Sequence, residues 1–213
     1  METTLNKVLD AFGQPSPEIQ KKLEKAVLET FSTGDFHQAN MRAIAKKAGV
    51  SFGTIYKYYQ SKENLLFSFI DEWLSELIER MIDHLQGLED IKEKLRKIFW
   101  VQLEFYEKNP DVGKIIMMTV PLKTWMTDET YKQERMTEIL LRVLREGQQK
   151  GVLDPGVPTL VLLDVMHAMV ARTFTMWMYR GQKESLAAQA SLLFEMVWRA
   201  ISNPDHASGR SET

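Results

Sequence analysis

Apolar side chains recur every three or four residues along most of the chain, and no stretch alternates strictly between apolar and polar positions. The first such stretch places Leu23, Val27 and Phe31 on one face. It follows Ser16 and Pro17, which are typical of a helix N-terminus. The pattern therefore predicts an all-α fold of about nine helices.

Residues that favour caps and turns divide this pattern into separate helices. Asn40 and Ser51 are predicted N-caps of two short helices, and Gly49 between them suits a left-handed C-terminal stop. Ser61 begins a long helix that Gly87 ends. Further helices are expected at about 90–108, 111–120, 128–149, 157–180 and 183–202.

The two short helices are joined by the turn Ala48-Gly49-Val50-Ser51, an arrangement typical of a helix-turn-helix. The second helix of such a unit enters the major groove of DNA. Apolar positions that include Ile44 and Ile55 are expected to pack on the first helix, which leaves the opposite face of the second short helix free.

Side chains on that free face have the chemistry of DNA contacts. Hydroxyl groups donate to phosphates, lysines supply charge to the DNA backbone, and Gly53 permits a close approach of the helix. Arg42 is expected to reach a base edge or a phosphate, and Phe52 a thymine methyl group. The predicted DNA-binding residues are Arg42, Ser51, Phe52, Gly53, Thr54, Tyr56, Lys57, Tyr58 and Lys62.

The charge distribution agrees with a basic DNA-binding segment and a more acidic remainder of the chain. Residues 18–64 hold eight Lys and Arg residues against five Asp and Glu residues, so their net charge is +3 and that of the rest is −5. We interpret these as two modules with different partners.

The run IAKKAGVSFGTIYKYYQSKENLL, residues 44–66, resembles the signature of the TetR/AcrR family of one-component regulators. The resemblance covers about residues 18–66 and implies that the residues named above occupy the DNA-contacting positions of the family. Tyr58 stands where members often have His. The resemblance also implies a homodimer that reads a palindromic operator in double-stranded DNA, with repression as the expected mode.

These features suggest a division of the chain into functional segments. We expect a flexible leader at 1–15, a helix-turn-helix DNA-binding domain at 16–64, a ligand-binding and dimerisation domain at 65–202, and a flexible tail at 203–213.

The predicted helix at 157–180 is apolar on all sides, which indicates burial on both faces. Small side chains share one face and bulky flexible ones lie opposite, so we expect this helix to separate a dimer interface from a ligand cavity. The cavity is expected to take an apolar small-molecule effector. Its predicted residues are Trp100, Met117, Met118, Trp125, Met166, Met169, Thr173, Met176 and Trp177.

The same helix and its successor are expected to form a four-helix bundle across a two-fold axis. The predicted dimer residues are Asp164, Ala168, Ala171, Thr175, Leu186, Ala190, Leu193, Val197 and Ile201.

Other functional classes find less support. The sequence contains no cysteine, which suits a cytoplasmic protein, and its apolar runs are expected to be too short for a membrane span. We predict no catalytic residues, cofactor or metal. Two alternatives remain: a helical metal-carboxylate enzyme, suggested by the spacing of Asp164 and His167, and a non-specific architectural DNA-binding protein.

Overall fold

The computed structural model describes residues 15–127 and 134–205, and its regular structure there is helical, with no β-strand. One isolated antiparallel bridge joins Leu153 to Ser202. The all-α prediction is therefore confirmed. In chain order the helices are α1 (Pro17–Thr33), α2 (Met41–Ala48), α3 (Phe52–Tyr59), α4 (Lys62–Leu85), α5 (Ile91–Lys108), α6 (Pro110–Lys114, continued by a π-helical turn over Ile115–Thr119), α7 (Leu122–Thr127), α8 (Glu134–Gln149), α9 (Thr159–Tyr179) and α10 (Leu186–Ile201).

The predicted helix bounds differ from the structure mainly between residues 110 and 134. The helix expected at 111–120 is an α-helix that becomes a π-helix, and α7 follows Pro121 where the sequence suggested only a break. The expected start of the next helix at 128 lies outside the described residues, and α8 is described from Glu134.

The predicted leader at 1–15 lies outside the described residues except for Pro15, and the same holds for the tail beyond Asp205. The start of that tail is held in place, which corrects the expectation of flexibility from residue 203. Asn203 donates from its side chain to the carbonyl of Gly151 and from its backbone to that of Val152, each at 3.0 Å.

By their internal contacts the described residues form two compact units. The first contains 15–75 and 110–127, and the second contains 76–109 and 134–205. The division falls within α4, so this helix supplies residues to both units, whereas the sequence suggested a boundary at 64/65.

Within the second unit, α5 packs against α8, α9 and α10. Phe99 on α5 meets Phe194 on α10 with ring centroids 6.0 Å apart, and Tyr106 meets Phe174 on α9 at 5.8 Å. All four of these rings are buried, so aromatic contacts between helices fix the core of this unit.

Helix α9 is long and apolar enough, by length and composition, to cross a membrane. This corrects the expectation that every apolar run is too short for a span. Leu162, Met166, Val170 and Phe174 nevertheless form a buried row inside the second unit, and a core helix of a globular protein has the same length and composition.

Candidate nucleic-acid interface and ligand cavity

Helices α2 and α3 are held in the first unit by a small apolar core. Ile44 and Ile55 have no exposed surface, and α2 packs on both α1 and α3. Tyr59 at the end of α3 is also buried and stacks on Phe69 at a centroid distance of 6.2 Å. Burial is the main reason that the pKa of Tyr59 rises to about 12, so this residue belongs to the core.

Local hydrogen bonds and a left-handed glycine define the ends of α2 and α3. The Asn40 side chain accepts from the Ala43 backbone at 2.9 Å, and Ser51 Oγ accepts from the Thr54 backbone at 3.0 Å. Gly49 ends α2 at φ 66°, in the left-handed region where side chains are disfavoured. The predicted caps and turn are thus confirmed.

The predicted DNA-binding residues of α2 and α3 lie on the side of these helices that faces away from this core. Arg42 and Lys57 are exposed, as are 39% of Phe52 and 54% of Tyr56. The Arg42 guanidinium lies 5.0 Å from the centre of the Phe52 ring, and the Phe52 and Tyr56 rings are 5.7 Å apart. The surface therefore presents a positive charge on an aromatic platform.

Two further predicted residues, Ser51 and Thr54, are already engaged within the helix. Their hydroxyl groups are hydrogen-bonded to each other at 2.8 Å, in addition to the cap formed by Ser51. Tyr58 is half-buried, and the Lys57 ammonium lies 5.2 Å from its ring centre.

Gly53 lies on the same surface, and nothing inside the protein requires a glycine there. A Cβ atom at this position would meet only Ser51 Oγ, at 3.8 Å. Gly53 is the second residue of α3, and a glycine within a helix costs up to about 1 kcal/mol relative to alanine. Glycine at this position therefore lowers the stability of the helix, and internal packing does not require it.

Lys62, at the start of α4, is less free than the sequence suggested. Its ammonium donates to the carbonyls of Phe36 at 2.8 Å and His37 at 3.3 Å, and it lies 4.7 Å from the centre of the Phe36 ring. The ammonium group therefore fastens the α1–α2 loop to α4. Its contact with the DNA backbone stays a prediction.

The second unit contains a cavity of about 530 Å³ between α9 and α10, large enough for a small-molecule ligand. Apolar side chains form much of its wall: Met176, Trp177, Leu186 and Leu193. The lining holds three cations, Arg172, Arg180 and Lys183, and one acidic residue, Glu184. None of the three cations forms an ion pair among the described residues. These cations are not among the predicted ligand residues, although the basic cluster around Gly181 is visible in the sequence.

The predicted ligand residues lie in different surroundings. Thr173, Met176 and Trp177 line the 530 Å³ cavity, whereas Trp100 lines a second cavity of about 350 Å³ beside Arg96 and Lys97. Met166 is fully buried and lines neither cavity. The remaining four fall into two places: Met169 is half-buried on α9, and Met117, Met118 and Trp125 belong to the first unit.

The residues predicted for the dimer interface are exposed on α9 and mostly buried within the unit on α10. Asp164 and Ala168 are exposed, and Ala171 and Thr175 are half-exposed. On α10, however, four of the five predicted residues are buried within the unit because that face packs on α5: Leu186, Ala190, Val197 and Ile201. Leu193 lines the cavity, and the outward apolar residues of α10 are Leu192, 70% exposed, and Met196, 53% exposed.

Asp164 and His167 do not make a metal centre in the described part of the chain, where no group of three or more acidic or histidine side chains converges. His167 Nε2 is buried without a hydrogen-bond partner. Burial lowers the pKa of His167, and the nearby Asp164 carboxylate opposes that shift.

Two family models match adjacent parts of the chain. Residues 25–69 match bacterial regulatory proteins of the tetR family, and residues 70–200 match the C-terminal region of YsiA-like proteins. The first match contains α2 and α3, and the second contains α5, α9 and all but the last residue of α10.

Similar proteins extend over nearly the whole chain. The fatty acid metabolism regulator protein of Bacillus subtilis is 28% identical over 89% of this chain and 98% of its own length. A crystal structure of the transcriptional regulator FadR from B. subtilis in complex with stearoyl-CoA has a TM-score of 0.73 at 25% identity and covers 83% of this chain and 96% of that one. The fatty acid degradation regulator FadR of Bacillus halodurans has a TM-score of 0.75 at 20% identity, covering 87% and 96%.

Proposed function

The chain belongs to the tetR family of bacterial regulatory proteins, which are transcriptional regulators and not enzymes, and from this premise we propose a specific mode of action. The protein is a cytoplasmic repressor that binds a palindromic operator as a homodimer. An amphipathic small molecule with a long apolar part releases it from DNA.

The observation that carries this proposal is the outward surface of α2 and α3. It combines the exposed Arg42, Phe52, Tyr56 and Lys57 with a helix position, Gly53, where the fold has no need for a glycine. A missing side chain lets the backbone of a recognition helix approach the groove, and the basic and aromatic groups around it contact phosphates and base edges.

Dimerisation is supported by an outward apolar surface on the second unit. In a single copy four apolar side chains are exposed there: Leu160 (62%) and Val161 (46%) of α9, and Leu192 (70%) and Met196 (53%) of α10. A second copy is the proposed occupant of this surface. Two linked DNA-binding units bind a palindrome far more tightly than one unit, because the second unit binds its half-site at a high effective concentration.

The proposed effector follows from the chemistry of the 530 Å³ cavity and from the relatives. An apolar wall around Trp177 and Leu193, with Arg180 and Lys183 in the lining, suits an apolar chain attached to an anionic head. FadR of B. subtilis, a similar regulator, was crystallised with stearoyl-CoA, and the matching curated protein of B. subtilis is named a fatty acid metabolism regulator. We therefore propose a long-chain acyl thioester of coenzyme A as the effector class.

Release requires the effector to bind better to a state that does not fit the operator. Helix α4 supplies residues to both units, so it is the proposed route by which occupancy of the second unit alters the first. A coupling of about 1–3 kcal/mol between the two ligands is typical of such regulators.

The proposal is tested by selecting duplexes from a random pool with the purified protein and titrating the bound complex with stearoyl-CoA. We expect a palindromic consensus, a dimeric complex, and release by stearoyl-CoA but not by coenzyme A alone. A matched variant pair locates the effector: Leu193→Asp in the cavity is expected to abolish release, and the exposed Ser191→Asp, outside that cavity, is expected to retain it.

Selection without any consensus would overturn the operator proposal. Release by coenzyme A as efficiently as by its stearoyl thioester would overturn the role of the apolar chain.

A further inference from the structure

Arg42, Phe52 and Tyr56 form a continuous stack on the outward surface of the helix-turn-helix. Arg42 comes from α2, whereas the two rings come from α3. The guanidinium carbon lies 5.0 Å from the Phe52 ring centre, and the two rings are 5.7 Å apart. Arg42 has no ion pair or side-chain hydrogen bond within the described residues, so the Phe52 ring is the contact that restrains its guanidinium.

Such a contact restrains the guanidinium without using its hydrogen-bonding groups. A guanidinium on an aromatic face is held by the attraction between the cation and the ring, while its N–H donors stay directed outward along its edge. An arginine that is free in solution must lose the freedom of its long side chain when it binds, and a stacked arginine has lost part of it beforehand.

From this geometry we infer that Phe52 is a positioning residue for Arg42, and that the positioned Arg42 reads a guanine in the major groove through its O6 and N7 atoms. The inference rests on the proposed function, because it assumes that this surface meets DNA. Arginine is the side chain whose paired donors match the two acceptors of guanine.

This role differs from the one that the sequence suggested for Phe52. A phenylalanine that only touched a thymine methyl group would specify its own base pair, independently of Arg42. A positioning phenylalanine specifies no base pair itself, and its loss weakens the preference that belongs to Arg42. The two roles therefore differ in which operator position changes.

The exposed location of Phe52 makes the test feasible, because 39% of this side chain is accessible and substitution there leaves the buried core intact. Phe52→Leu keeps an apolar side chain that can touch a methyl group but removes the aromatic face. Phe52→Tyr retains the face. Arg42→Lys retains a cation but loses the paired donors that match guanine.

The experiment measures base preference at every operator position by selection from random duplexes with the wild type, each single variant and the double variant Arg42→Lys/Phe52→Leu. Arg42→Lys is expected to reduce the preference for guanine at one position in each half-site by about tenfold. Phe52→Leu is expected to reduce the preference for guanine at that same position, whereas Phe52→Tyr is expected to retain this preference. The double variant is expected to lose no more than Arg42→Lys alone.

Two results would overturn the inference: a preference unchanged in Phe52→Leu, or a change confined to a different base pair and additive with that of Arg42→Lys. Either would leave the proposed function standing, since the wild type would still select a consensus. Lys57→Met serves as the control on the same surface, because loss of a phosphate contact lowers affinity for all sequences without altering base preference.

Discussion

Lys57 of α3 and Lys62 of α4 carry the same charge, but their surroundings differ. Lys57 is exposed and touches only the ring of Tyr58, whereas the Lys62 ammonium donates to two backbone carbonyls of the α1–α2 loop. Lys62→Met is therefore expected to lower the free energy of unfolding by about 1–2 kcal/mol and to weaken DNA binding. Lys57→Met is expected to weaken DNA binding with a stability change of about 0.5 kcal/mol or less.

Urea unfolding and fluorescence anisotropy with an operator duplex measure the two effects separately. Equal stability of the two variants would show that the Lys62 hydrogen bonds contribute nothing net in solution.

Gly53 and Gly147 predict opposite effects of the same substitution. A Cβ at Gly53 has room, so Gly53→Ala is expected to gain up to about 1 kcal/mol of stability while lowering DNA affinity. A Cβ at Gly147 would lie 2.7 Å from Leu153 Cδ1 and 2.9 Å from Ile91 Cγ2, so Gly147→Ala is expected to cost about 1–3 kcal/mol. Thermal unfolding and operator binding of both variants check this. A Gly53→Ala protein with undiminished DNA affinity would contradict the close approach of α3.

At this scale the sequence predicted what depends on near neighbours. The caps at Asn40 and Ser51 and the left-handed Gly49 were predictable because each acts within about four residues. The anchoring of Lys62 was not, because its partners Phe36 and His37 are 26 and 25 residues away along the chain.

Among the helices, α10 shows why a correct apolar stripe does not identify its neighbour. The spacing of Leu186, Ala190 and Val197 indicated one buried face, and that face is buried. Its neighbour is α5 of the same chain, however, rather than a second copy. Periodicity defines which side of a helix avoids water, and only the tertiary structure defines what covers that side.

Helix α9 offers a complementary arrangement of charge for a second copy. Asp164 and Arg172 are exposed, have no ion-pair partner among the described residues, and each lies four residues from the exposed Ala168. In a two-fold contact that crosses antiparallel α9 helices at Ala168, Asp164 of each copy would face Arg172 of the other. Asp164→Arg and Arg172→Asp are each expected to weaken the homodimer by about tenfold or more.

The mixture of these two variants provides the decisive control. Their charges are complementary only between unlike copies, so the mixture is expected to form heterodimers, and a chain carrying both substitutions is expected to recover the homodimer. Sedimentation equilibrium measures each dissociation constant. Unchanged homodimers of both single variants would place the helix crossing elsewhere while leaving dimerisation intact.

Glu104 joins α4 to α5 through ion pairs within the second unit. It contacts Arg80 of α4 and accepts from Lys108 at 2.7 Å. The hydrogen bond from Lys108 and the charge of Arg80 lower the pKa of Glu104 below 4.5, although burial opposes the shift. Because the pKa of Glu104 is lower in the folded state, its ion pairs stabilise the fold fully above about pH 4.5. This contribution to stability is lost as the pH falls through the pKa that Glu104 has in the folded protein.

Glu104→Gln is accordingly expected to cost about 1–2 kcal/mol at pH 7 and to make unfolding less sensitive to pH below 4.5. Glu138→Gln on α8 is the matched control, because Glu138 is 69% exposed and lies 3.9 Å from Arg142, a pair of negligible expected contribution. Urea unfolding at pH 7 and pH 3 compares the three proteins. A cost at pH 3 as large as at pH 7 would show that the effect of the substitution is not electrostatic.

For the whole molecule, the family and the fold were predictable from one dense motif, whereas the lining of the 530 Å³ cavity was not. The residues of the helix-turn-helix lie within a single local segment, so their order in the sequence carries the geometry. The 530 Å³ cavity is lined instead by side chains from α9, α10 and the loop between them, and apolar composition alone does not distinguish its Met176 from the buried Met166.

Control of DNA binding by an effector implies a quantitative relation between the two ligands. If stearoyl-CoA weakens operator binding by a given factor, the operator must weaken stearoyl-CoA binding by the same factor, because both routes lead to the same ternary complex. We expect this factor to lie between about 5 and 150.

Isothermal titration of stearoyl-CoA into the free protein and into its operator complex measures one side of the relation, and operator titrations with and without effector measure the other. A duplex of scrambled sequence controls for non-specific binding. Because the relation is thermodynamic, it holds whatever path joins the units. Equal stearoyl-CoA affinities in the presence and absence of operator would therefore mean that this ligand binds without regulating.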